Sequence, residues 1–329
     1  MTSKGIIPVL YNEVSEKASK DEIDVIYQVD AVAAALEKLG FTVSRHEFPG
    51  NMTETVETLK EMKPLLVFNL VEAVLGQDRL SYLAPSMLEA LSIKYTGCPA
   101  EAVLLTTNKV VTKKLLRSCG VPTPPWITVH DGGVIAQGEK YIIKAVYEDG
   151  SVDLHQDSVV AMENTSQIRE LLESMNKKAG KEFFAEKYIE GREINISMLG
   201  EKGRPTVLPP SEVKFIGYKE KNMEEILDYR SKWEEDSFEY KNTFSSTSFD
   251  SKDYELLKAL GEISIECWRE FNLKGYARVD FRVDREGRPW VLEINSNPCI
   301  TPGGSGFINS ALQGGLDFKA VIERIIYEV

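Results

Sequence analysis

The strongest constraint on the fold is a pair of alternating segments near the C-terminus, YARVDFRV at residues 276–283 and WVLEINSN at residues 290–297. In the first segment, Arg278, Asp280 and Arg282 share one face, and apolar side chains occupy the other. A repeat of two residues is typical of a strand with one face in a core. The turn-like stretch between the segments, DREGRP, predicts that the two strands form a hairpin.

The register of this hairpin brings two carboxylates together. We expect Val283 to pair with Trp290 across the turn. That register places Asp280 opposite Glu293, with Val291 on the same face as Glu293. Like charges directly opposite each other destabilise a sheet, so we expect a cation between the two carboxylates.

The same face offers the oxygen ligands that Mg²⁺ prefers. Because the register also places Arg278 opposite Asn295, a carboxamide oxygen lies near the two carboxylates. Magnesium takes a few such ligands and completes its octahedron with water and substrate phosphates. The alternative is a solvated face on which Arg278 and Arg282 pair with Asp280, worth roughly 0–1 kcal/mol. The continuation NSNPC favours a shaped loop that leaves a site.

Composition and charge restrict the function classes. The chain has 329 residues, enough for two or three domains, and its 43% hydrophobic and 27% charged content is that of an ordinary globular protein. A net charge of −12 argues against a general nucleic-acid binder but permits anionic small molecules. The start MTSKGIIPVLYNE turns polar too soon for a signal peptide, and no apolar run approaches a membrane span. We therefore expect a cytoplasmic protein without nucleic-acid or membrane partners.

Several common kinds of site have no support in the sequence. The four cysteines, none of them in a CxxC pair, are Cys98, Cys119, Cys267 and Cys299. Their spacing predicts neither a zinc site nor a disulfide framework. The three histidines share no pattern with a Ser or Cys nucleophile. Neither GxGxxG nor a Walker loop occurs, so a nucleotide would need another architecture.

The first hundred residues alternate between strand and helix patterns. IIPVLY, FTVSRHEF and LLVFNL read as strands, and apolar residues from Ile26 to Leu36 mark one face of a helix that ends at Gly40. This rhythm predicts a small open α/β domain with a parallel sheet. Ligands bind such sheets at the carboxyl ends of the strands, so the loops after Tyr11 and Leu70 are candidate ligand loops.

The rest of the chain reads as α+β. We expect a helix at about 106–119, then strands WITV, KYIIKAV and FFAEKYI with a helix at about 166–178. Strands EINISML and TVLP follow, and an amphipathic helix at 254–271 precedes the hairpin and a C-terminal helix. Region 217–250 is polar, weakly patterned and long for a loop, so it is either functional or mobile.

Lysines near turn-rich segments are candidate phosphate ligands. Lys144 lies in the apolar strand YIIKAV and precedes EDGSVD, and both an ammonium and backbone N–H groups favour phosphate oxygens. The alternative is an edge strand that carries a lysine against aggregation. Lys109 is a weaker candidate, and its neighbours Lys113 and Lys114 read as charges on a solvated helix face.

The segment FFAEKYIEGREI predicts a polar connection between two apolar strands. Glu186, Lys187 and Glu193 bracket this connection. Its backbone could bind a purine edge, and a carboxylate could bind ribose hydroxyls. The alternative is a polar hinge between subdomains.

Four ordered segments together resemble the ATP-grasp superfamily, and most of all its D-alanine–D-alanine ligase branch. They are YTGCPAEAVLLTTNKVVTKKLLRSCGVPTPPW, FAEKYIEGREINISMLG, YRSKWEEDS and YARVDFRVD with VLEINSNP. The resemblance runs from about residue 65 to the end. It implies a mixed α/β and α+β chain with the ATP-grasp fold, in which an N-terminal open parallel-sheet domain precedes two α+β domains that clasp ATP. The implied domain limits are 1–98, 99–190 and 191–329.

The resemblance also implies roles for individual residues. Those matching the family's ATP-binding positions are Lys109, Lys144, Glu186, Lys187, Ile189, Glu193 and Lys232. The matches to its magnesium ligands are Asp280, Glu293 and Asn295, for two Mg²⁺ ions with Mn²⁺ as a substitute. The matches to its catalytic groups are Arg278, Ser151 in the loop with Gly150, and the backbone near Cys299.

An acyl-phosphate mechanism follows from the resemblance. A substrate carboxylate attacks the γ-phosphate of ATP, and an amine then attacks the acyl phosphate to give an amide, ADP and phosphate. Arg278 and backbone N–H groups near Cys299 would stabilise the oxyanion. The loops at 148–153 and 217–250 are expected to exclude water.

The amino-acid half of the site, meaning the residues expected to bind the two substrates, departs from the family pattern. The first loop, LYNEVSEKASKDE, lacks the family's glycines and leaves Glu13 as a stand-in for its ammonium-binding glutamate. Glu72 stands near the place of a family histidine, and Cys299 replaces a glycine. Ser305 and nearby glycine N–H groups would bind the carboxylate of the second substrate in place of the family's residues. We therefore expect amino-acid substrates other than, or not limited to, two D-alanines.

Three functions compete at this point. The first is an ATP- and Mg²⁺-dependent carboxylate–amine ligase that forms an amide or peptide bond between amino acids. The second is a true D-alanine–D-alanine ligase with a divergent pocket. The third is a nucleotide-binding regulatory module, which the retained Arg278 argues against, since an ATP sensor needs no oxyanion arginine. A homodimer is implied by the family alone.

Overall fold

The structure, a computed structural model, describes residues 3–15, 18–49, 51–133, 138–148 and 150–329. Its strands are β1 Ile6–Asn12, β2 Thr42–Phe48, β3 Phe68–Leu70, β4 Trp126–Ile127, β5 Lys140–Ala145, β6 Val159–Ala161, β7 Phe183–Lys187, β8 Gly191–Glu201, β9 Arg204–Val207, β10 Ser211–Phe215, β11 Thr243–Ser246, β12 Tyr276–Asp284 and β13 Pro289–Asn295. Its α-helices are α1 Lys20–Lys38, α2 Met52–Met62, α3 Leu83–Ala90, α4 Ala100–Thr107, α5 Lys109–Ser118, α6 Thr165–Ala179, α7 Tyr229–Trp233, α8 Phe238–Asn242, α9 Tyr254–Glu270, α10 Gly306–Gln313 and α11 Phe318–Tyr327. Among these residues, every helix is too short or too polar to cross a lipid bilayer.

The N-terminal sheet is parallel, as the sequence predicts. Its order is β2-β1-β3, and β1 pairs in parallel with both neighbours. The carboxyl ends of β1 and β3 therefore meet at one edge, where the backbone N–H of Glu72 donates to the side chain of Asn12 at 3.4 Å. This sheet shares a core with the C-terminal part of the chain, because Ile7 and Val9 belong to the same apolar cluster as Tyr276 and Ile322.

The middle of the chain forms a four-stranded antiparallel sheet in the order β4-β7-β5-β6. Helix α6 covers one face and contributes Ile168 and Leu172 to a separate core with Ile143 and Ala185. Strand β5 lies between β7 and β6, but β6 pairs only with residues 140–142, so Lys144 has a strand neighbour on β7 alone. The strand pairing does not decide between the two interpretations of this lysine.

The C-terminal part forms a six-stranded sheet. Its order is β11-β10-β8-β12-β13, with β9 paired to β8. Helix α9 packs on this sheet, and so do α4 and α5, through Ala102, Val103 and Leu116. Two helices that lie beyond the predicted limit at residue 98 thus pack on the C-terminal sheet, and the domain limits stay a prediction.

The predicted helix at 106–119 is wrong at its start. The chain forms α4, breaks at Asn108 and starts again as α5 at Lys109. The Asn108 side chain accepts the N–H of Val111 at 3.0 Å, which is typical of an N-cap residue. The break places Lys109 in the first turn of a helix.

The hairpin pairs β12 with β13, but its register changes between Asp280 and Phe281. Val283 lies opposite Pro289 rather than Trp290, so the expected pairing at the turn is wrong. A β-bulge at Leu292 shifts the register by one residue, so Asp280 still faces Glu293, as predicted.

The bulge also reverses the face of one neighbour. Val291 is fully buried in the core with Ile294, whereas Leu292 lines the cleft beside Glu293. The expectation that Val291 shares the face of Glu293 is therefore wrong, because strict alternation does not survive an extra residue.

The chain crosses from the four-stranded to the six-stranded sheet between β7 and β8. This connection is the one predicted from FFAEKYIEGREI. Gly191 begins β8 with φ at +151°, and a Cβ atom there would clash with the carbonyl oxygen of Val283. A glycine is required because the two backbones come so close.

Candidate active site

A cleft separates the four-stranded sheet from the six-stranded sheet. The predicted site residues in its wall are Lys109, Lys144, Ser151, Glu186, Lys187, Ile189, Glu193, Lys232, Arg278, Asp280 and Glu293. These residues come from strands and loops that are far apart in sequence, and the fold brings them together. Asn295 lies next to them, opposite Arg278 on the hairpin.

Arg278 and Asp280 form the most tightly held pair in the cleft. The guanidinium Nε and Nη2 donate to the two oxygens of Asp280 at 2.7 Å each, and Asn295 Nδ2 donates to Asp280 Oδ2 at 3.0 Å. Such a bidentate pair fixes the plane of the guanidinium. Burial raises the pKa of Asp280, although Arg278 opposes the shift.

Glu293 is held ionised by the cations around it. Burial opposes its ionisation, but Lys109, Lys144 and Lys232 outweigh burial and lower the pKa of Glu293 to about 2. The Lys109 Nζ lies 3.8 Å from Glu293 Oε2. Protein side chains thus supply part of the positive charge beside these carboxylates.

The chemistry of this donor set fits a magnesium ion. Among the described residues, no group of three or more His, Cys, Asp or Glu side chains is placed to hold a metal by itself. Two carboxylates with an amide oxygen suit Mg²⁺, which takes its other ligands from water and phosphates. On β8, the buried Asn195 Oδ1 and Ser197 Oγ have no hydrogen-bond partner, and they face Asp280 and Arg278. Orphaned buried oxygens opposite Asp280 and Arg278 are consistent with a bound group at this place.

Lys144 reaches the cleft from β5 and binds Glu186 on the neighbouring strand. Its Nζ donates to Glu186 Oε1 at 2.8 Å. Glu186 is almost fully buried and has a second ammonium partner, Lys113. The positive charges of the two lysines lower the pKa of Glu186 against the opposing effect of burial.

Lys113 is not a solvated charge, so that interpretation is wrong. It is completely buried, and its Nζ donates to Thr123 Oγ1 at 2.8 Å. The signal was available, because Lys109, Thr112, Lys113 and Leu116 follow the spacing of one buried helix face. Lysine is rarely buried, so the residue type of Lys113 argued against the core position that its spacing indicates.

Lys109 is placed by the first turn of α5. Its Nζ donates to the carbonyl oxygen of Glu148 at 2.8 Å, and its backbone N–H donates to the carbonyl of Val146. The helix start is therefore tied to the segment that follows β5. Lys109 and Lys144 thus belong to one structural unit.

Glu193 pairs with Arg282, a residue that the sequence analysis treats only as a surface charge. Arg282 Nη2 lies 3.0 Å from Glu193 Oε2, and Nη1 donates to the carbonyl of Gly191 at 3.0 Å. Both side chains are buried, and burial raises the pKa of Glu193. Arg282 on β12 and Glu193 on β8 are far apart in sequence, so no local sequence pattern predicts that they pair.

Region 217–250 is structured and closes one side of the cleft. It supplies Lys232 on the short helix α7, and burial lowers the pKa of Lys232. Ser151 Oγ donates to the carbonyl of Leu227 at 2.7 Å, and Trp233 Nε1 donates to the carbonyl of Gly150 at 3.0 Å. The two predicted lid segments therefore contact each other, although residue 149 of the first lies outside the described residues.

The junction between the sheets carries the residues matched to adenine binding. Ile189 is buried in the cleft wall, and the Lys187 backbone N–H donates to the carbonyl of Pro125 at 2.8 Å. The Lys187 side chain binds Glu139 instead of entering the charged part of the cleft. Ile189 is the apolar member of this predicted set.

A second cluster lies where the N-terminal domain meets the loop after β13. Gln28 Nε2 donates to Glu72 Oε1 at 3.1 Å, and Thr301 Oγ1 donates to Asp24 Oδ2 at 2.9 Å. Cys299 Sγ lies 3.2 Å from Asp24 Oδ2, and burial raises the pKa of Cys299 to about 12. We call these five residues the acidic cluster, and it contains the predicted Glu72 and Cys299.

The other two predicted substrate residues lie outside the acidic cluster, although Ser305 contacts the backbone of Cys299. Glu13 is exposed in the loop after β1, parts of which (residues 16–17) are outside the described residues. Ser305 caps α10, accepting the N–H of Phe307 at 3.2 Å and donating to the carbonyl of Cys299. Their substrate roles stay predictions. Asp24, Gln28 and Thr301 were missed because only the fold brings them to this place.

Comparisons with known proteins agree with this geometry. A family model described as the D-ala D-ala ligase C-terminus matches residues 115–327. The D-alanine–D-alanine ligase of Aquifex aeolicus is 31% identical over 300 residues, which cover 90% of this chain and 92% of that enzyme. An uncharacterised protein of Sinorhizobium fredii is 30% identical over 304 residues, which cover 90% of this chain and 85% of that protein.

The solved structures support the fold assignment. The D-alanine–D-alanine ligase of Bacillus anthracis, determined as a complex with ATP, aligns with a TM-score of 0.71 and 20% identity over 98% of this chain and 97% of that one. At that identity the likeness establishes the fold alone, and it confirms the predicted mixture of α/β and α+β parts. The chain therefore belongs to the D-alanine–D-alanine ligase family with the ATP-grasp fold, and it is an ATP-dependent, ADP-forming ligase that makes a C–N bond.

Proposed function

We propose that this chain uses ATP and Mg²⁺ to join the carboxylate of one amino acid to the amine of another through an acyl phosphate. One observation carries the proposal. Four lysines and two arginines converge on a single cleft whose wall also presents the directly opposed carboxylates of Asp280 and Glu293. A site of this composition can hold a polyphosphate, a divalent cation and a developing negative charge at once.

The nucleotide is assigned to the cleft between the two sheets. Lys109 and Lys144 would bind its phosphates, because ammonium groups form short, charge-assisted hydrogen bonds to phosphate oxygens. The buried side chain of Ile189 would contact the base. Glu193, oriented by Arg282, would accept hydrogen bonds from the ribose hydroxyls.

The hairpin would hold the metal. Asp280, Glu293 and Asn295 are the proposed ligands, with Mn²⁺ as a substitute for Mg²⁺. When bound, the ion neutralises charge on the phosphates and on the phosphoryl group in transfer. Arg278, held in plane by Asp280, would point its remaining N–H groups at the transferred phosphoryl group and at the oxyanion of the tetrahedral intermediate.

The reaction is proposed to proceed in two steps. The carboxylate oxygen of the first substrate forms a bond to the γ-phosphorus, and ADP leaves. The amine of the second substrate then attacks the acyl carbon, phosphate leaves, and an amide remains. Contacts between the loop at Gly150 and the segment around Leu227 would keep water from the acyl phosphate.

The acidic cluster is the proposed amino-acid half of the site. Asp24 and Glu72 would attract the ammonium groups of amino-acid substrates, and the loop carrying Cys299 adjoins Arg278. Its side chains differ from the family pattern described above. D-alanine is therefore one candidate substrate among amino acids rather than the assigned one.

The first experiment measures release of ADP and phosphate with Mg²⁺ across L- and D-amino acids, singly and in pairs, with mass spectrometry of the products. We expect release that depends on one pair, together with the mass of a new amide. Asp280→Asn serves as the inactive control. ADP release without an amide from any pair, or no ATP binding at all, would contradict the proposed reaction.

A further inference from the structure

Lys113 is a buried cation without a role in the reaction described above. It lies on α5, it has no exposed surface, and it is not part of the described cleft wall. A buried ammonium is costly unless its partners compensate for the lost water. Lys113 has two such partners, the carboxylate of Glu186 and the hydroxyl of Thr123.

Glu186 connects Lys113 to the cleft. Its two oxygens bind two ammonium groups, one from Lys144 at 2.8 Å and one from Lys113. The group of Lys113, Glu186 and Lys144, here called the buried triad, thus carries one net positive charge. Of its members, Lys113 is the most deeply buried, and Lys144 is the most exposed.

Charge balance explains the need for Lys113. Without it, Lys144 and Glu186 would form a neutral pair in contact, and their fields would largely cancel at the cleft. With it, Glu186 is neutralised from the interior, and the charge of Lys144 stays available to an anion. Thr123 fixes Lys113 from the other side and donates to the carbonyl of Val291, beside the bulge of the hairpin.

We propose that Lys113 is a positioning residue that neutralises and orients Glu186, so that Lys144 directs its full positive charge at the phosphates of the nucleotide. This inference rests on the proposed ATP site. It predicts an effect on phosphate binding specifically, because Lys113 is assigned no contact with the base or ribose.

The test measures dissociation constants of ATP and adenosine by calorimetry for the full chain. Lys113→Met should weaken ATP binding about tenfold, the scale of one lost charged interaction, and change adenosine binding less than about twofold. In a Glu186→Gln background, adding Lys113→Met should weaken ATP binding less than about twofold further, because the charge that Lys113 neutralises is then absent. The matched control is Lys114→Met, next along the helix and exposed.

Each outcome decides a separate point. If the wild type does not bind ATP, the proposed function fails and the inference with it. If the wild type binds ATP and Lys113→Met binds it equally well, the inference alone is wrong. It is also wrong if Lys113→Met weakens ATP binding as much in the Glu186→Gln background as in the wild type, or if Lys113→Met loses ATP and adenosine binding alike. Should Lys113→Met not fold, Lys113→Gln, which keeps a hydrogen-bond donor, must show the same selective loss of ATP binding.

Discussion

The nucleotide half of the site combines lysines and arginines with carboxylates, whereas the charged side chains of the acidic cluster are two carboxylates, Asp24 and Glu72. The lysines in the nucleotide half lower the pKa of Glu293 to about 2. In the acidic cluster the partners are the amide of Gln28, the hydroxyl of Thr301 and a thiol that burial keeps protonated. One half is built for anions and the other for cations or neutral donors.

This difference explains why the sequence predicted the nucleotide half of the site more fully than the amino-acid half. A polyphosphate demands lysine and arginine at fixed places, so the nucleotide half repeats the family's motifs. Amino-acid recognition can be rebuilt from many polar side chains without moving the phosphates. The chain can therefore keep the chemistry and change the substrate, and mutations in the two halves should separate these functions.

The largest effect is expected at the opposed carboxylates. Asp280→Asn or Glu293→Gln should reduce turnover at least roughly hundredfold, because each removes a charge that acts on the reacting phosphates. The thermal unfolding midpoint should stay close to that of the wild type. Glu286→Gln, exposed in the turn of the same hairpin, is the control. Near-normal turnover in either variant would remove the metal assignment.

A smaller effect, on binding of the amino-acid substrate rather than of ATP, is expected in the acidic cluster. Asp24→Asn or Glu72→Gln should raise the KM of the amino-acid substrate by roughly tenfold or more, since a charged partner of its ammonium is lost. The ATP dissociation constant should change less than about twofold. Steady-state kinetics with calorimetry separates the two. Equal losses of ATP and amino-acid binding would mean that the halves are not independent.

Within the nucleotide half, Lys232→Ala should raise the KM for ATP by roughly tenfold, as one charged contact to phosphate is lost. Lys241→Ala, in the same region but largely exposed, should leave that KM unchanged. Initial rates at varied ATP concentration measure both. An unchanged KM in Lys232→Ala would show that region 217–250 covers the cleft without binding the nucleotide.

The smallest effect concerns pH. Burial lowers the pKa of Lys113 to about 8, and the charged groups facing it are Glu186 on β7, Lys144 on β5 and Glu293 on β13. Below pH 8 the buried triad is positive, and above it Lys113 loses its proton, so ATP binding should weaken roughly threefold as pH rises through 8. Calorimetry should show this step in the wild type and not in Lys113→Met. A step of equal size in that variant would assign it to another group.

The hairpin shows which structural features the sequence alone could predict. Its strands and the facing of Asp280 and Glu293 were predictable, because alternation and a short turn are local signals. The bulge at Leu292 was not, since an extra residue in one strand depends on packing of Val291 in the core. The correct pair was reached through an incorrect pairing at the turn.

The acidic cluster marks the limit of sequence reasoning. The hydrogen bond between Asp24 and Thr301 joins residues 277 positions apart, and no spacing rule connects them. Lys113 was a different failure, because its helical position signalled burial and its charge suggested the opposite. Motifs predicted the nucleotide half, and only the tertiary structure assembled the rest.

The separate core of the four-stranded sheet has a mechanical consequence. The N-terminal and six-stranded sheets share buried apolar residues, whereas β4, β5, β7 and α6 enclose a large core of their own. Two smaller apolar clusters, one with Val110 of α5 and one with Ile226, connect the four-stranded sheet to the rest of the chain. The core of the four-stranded sheet can open locally while the two larger cores stay packed. Amide hydrogens of β5 and β7 should therefore exchange with solvent at a rate different from those of the six-stranded sheet. A bound nucleotide, which would contact both walls of the cleft, should slow exchange in the four-stranded sheet and bring the two rates together.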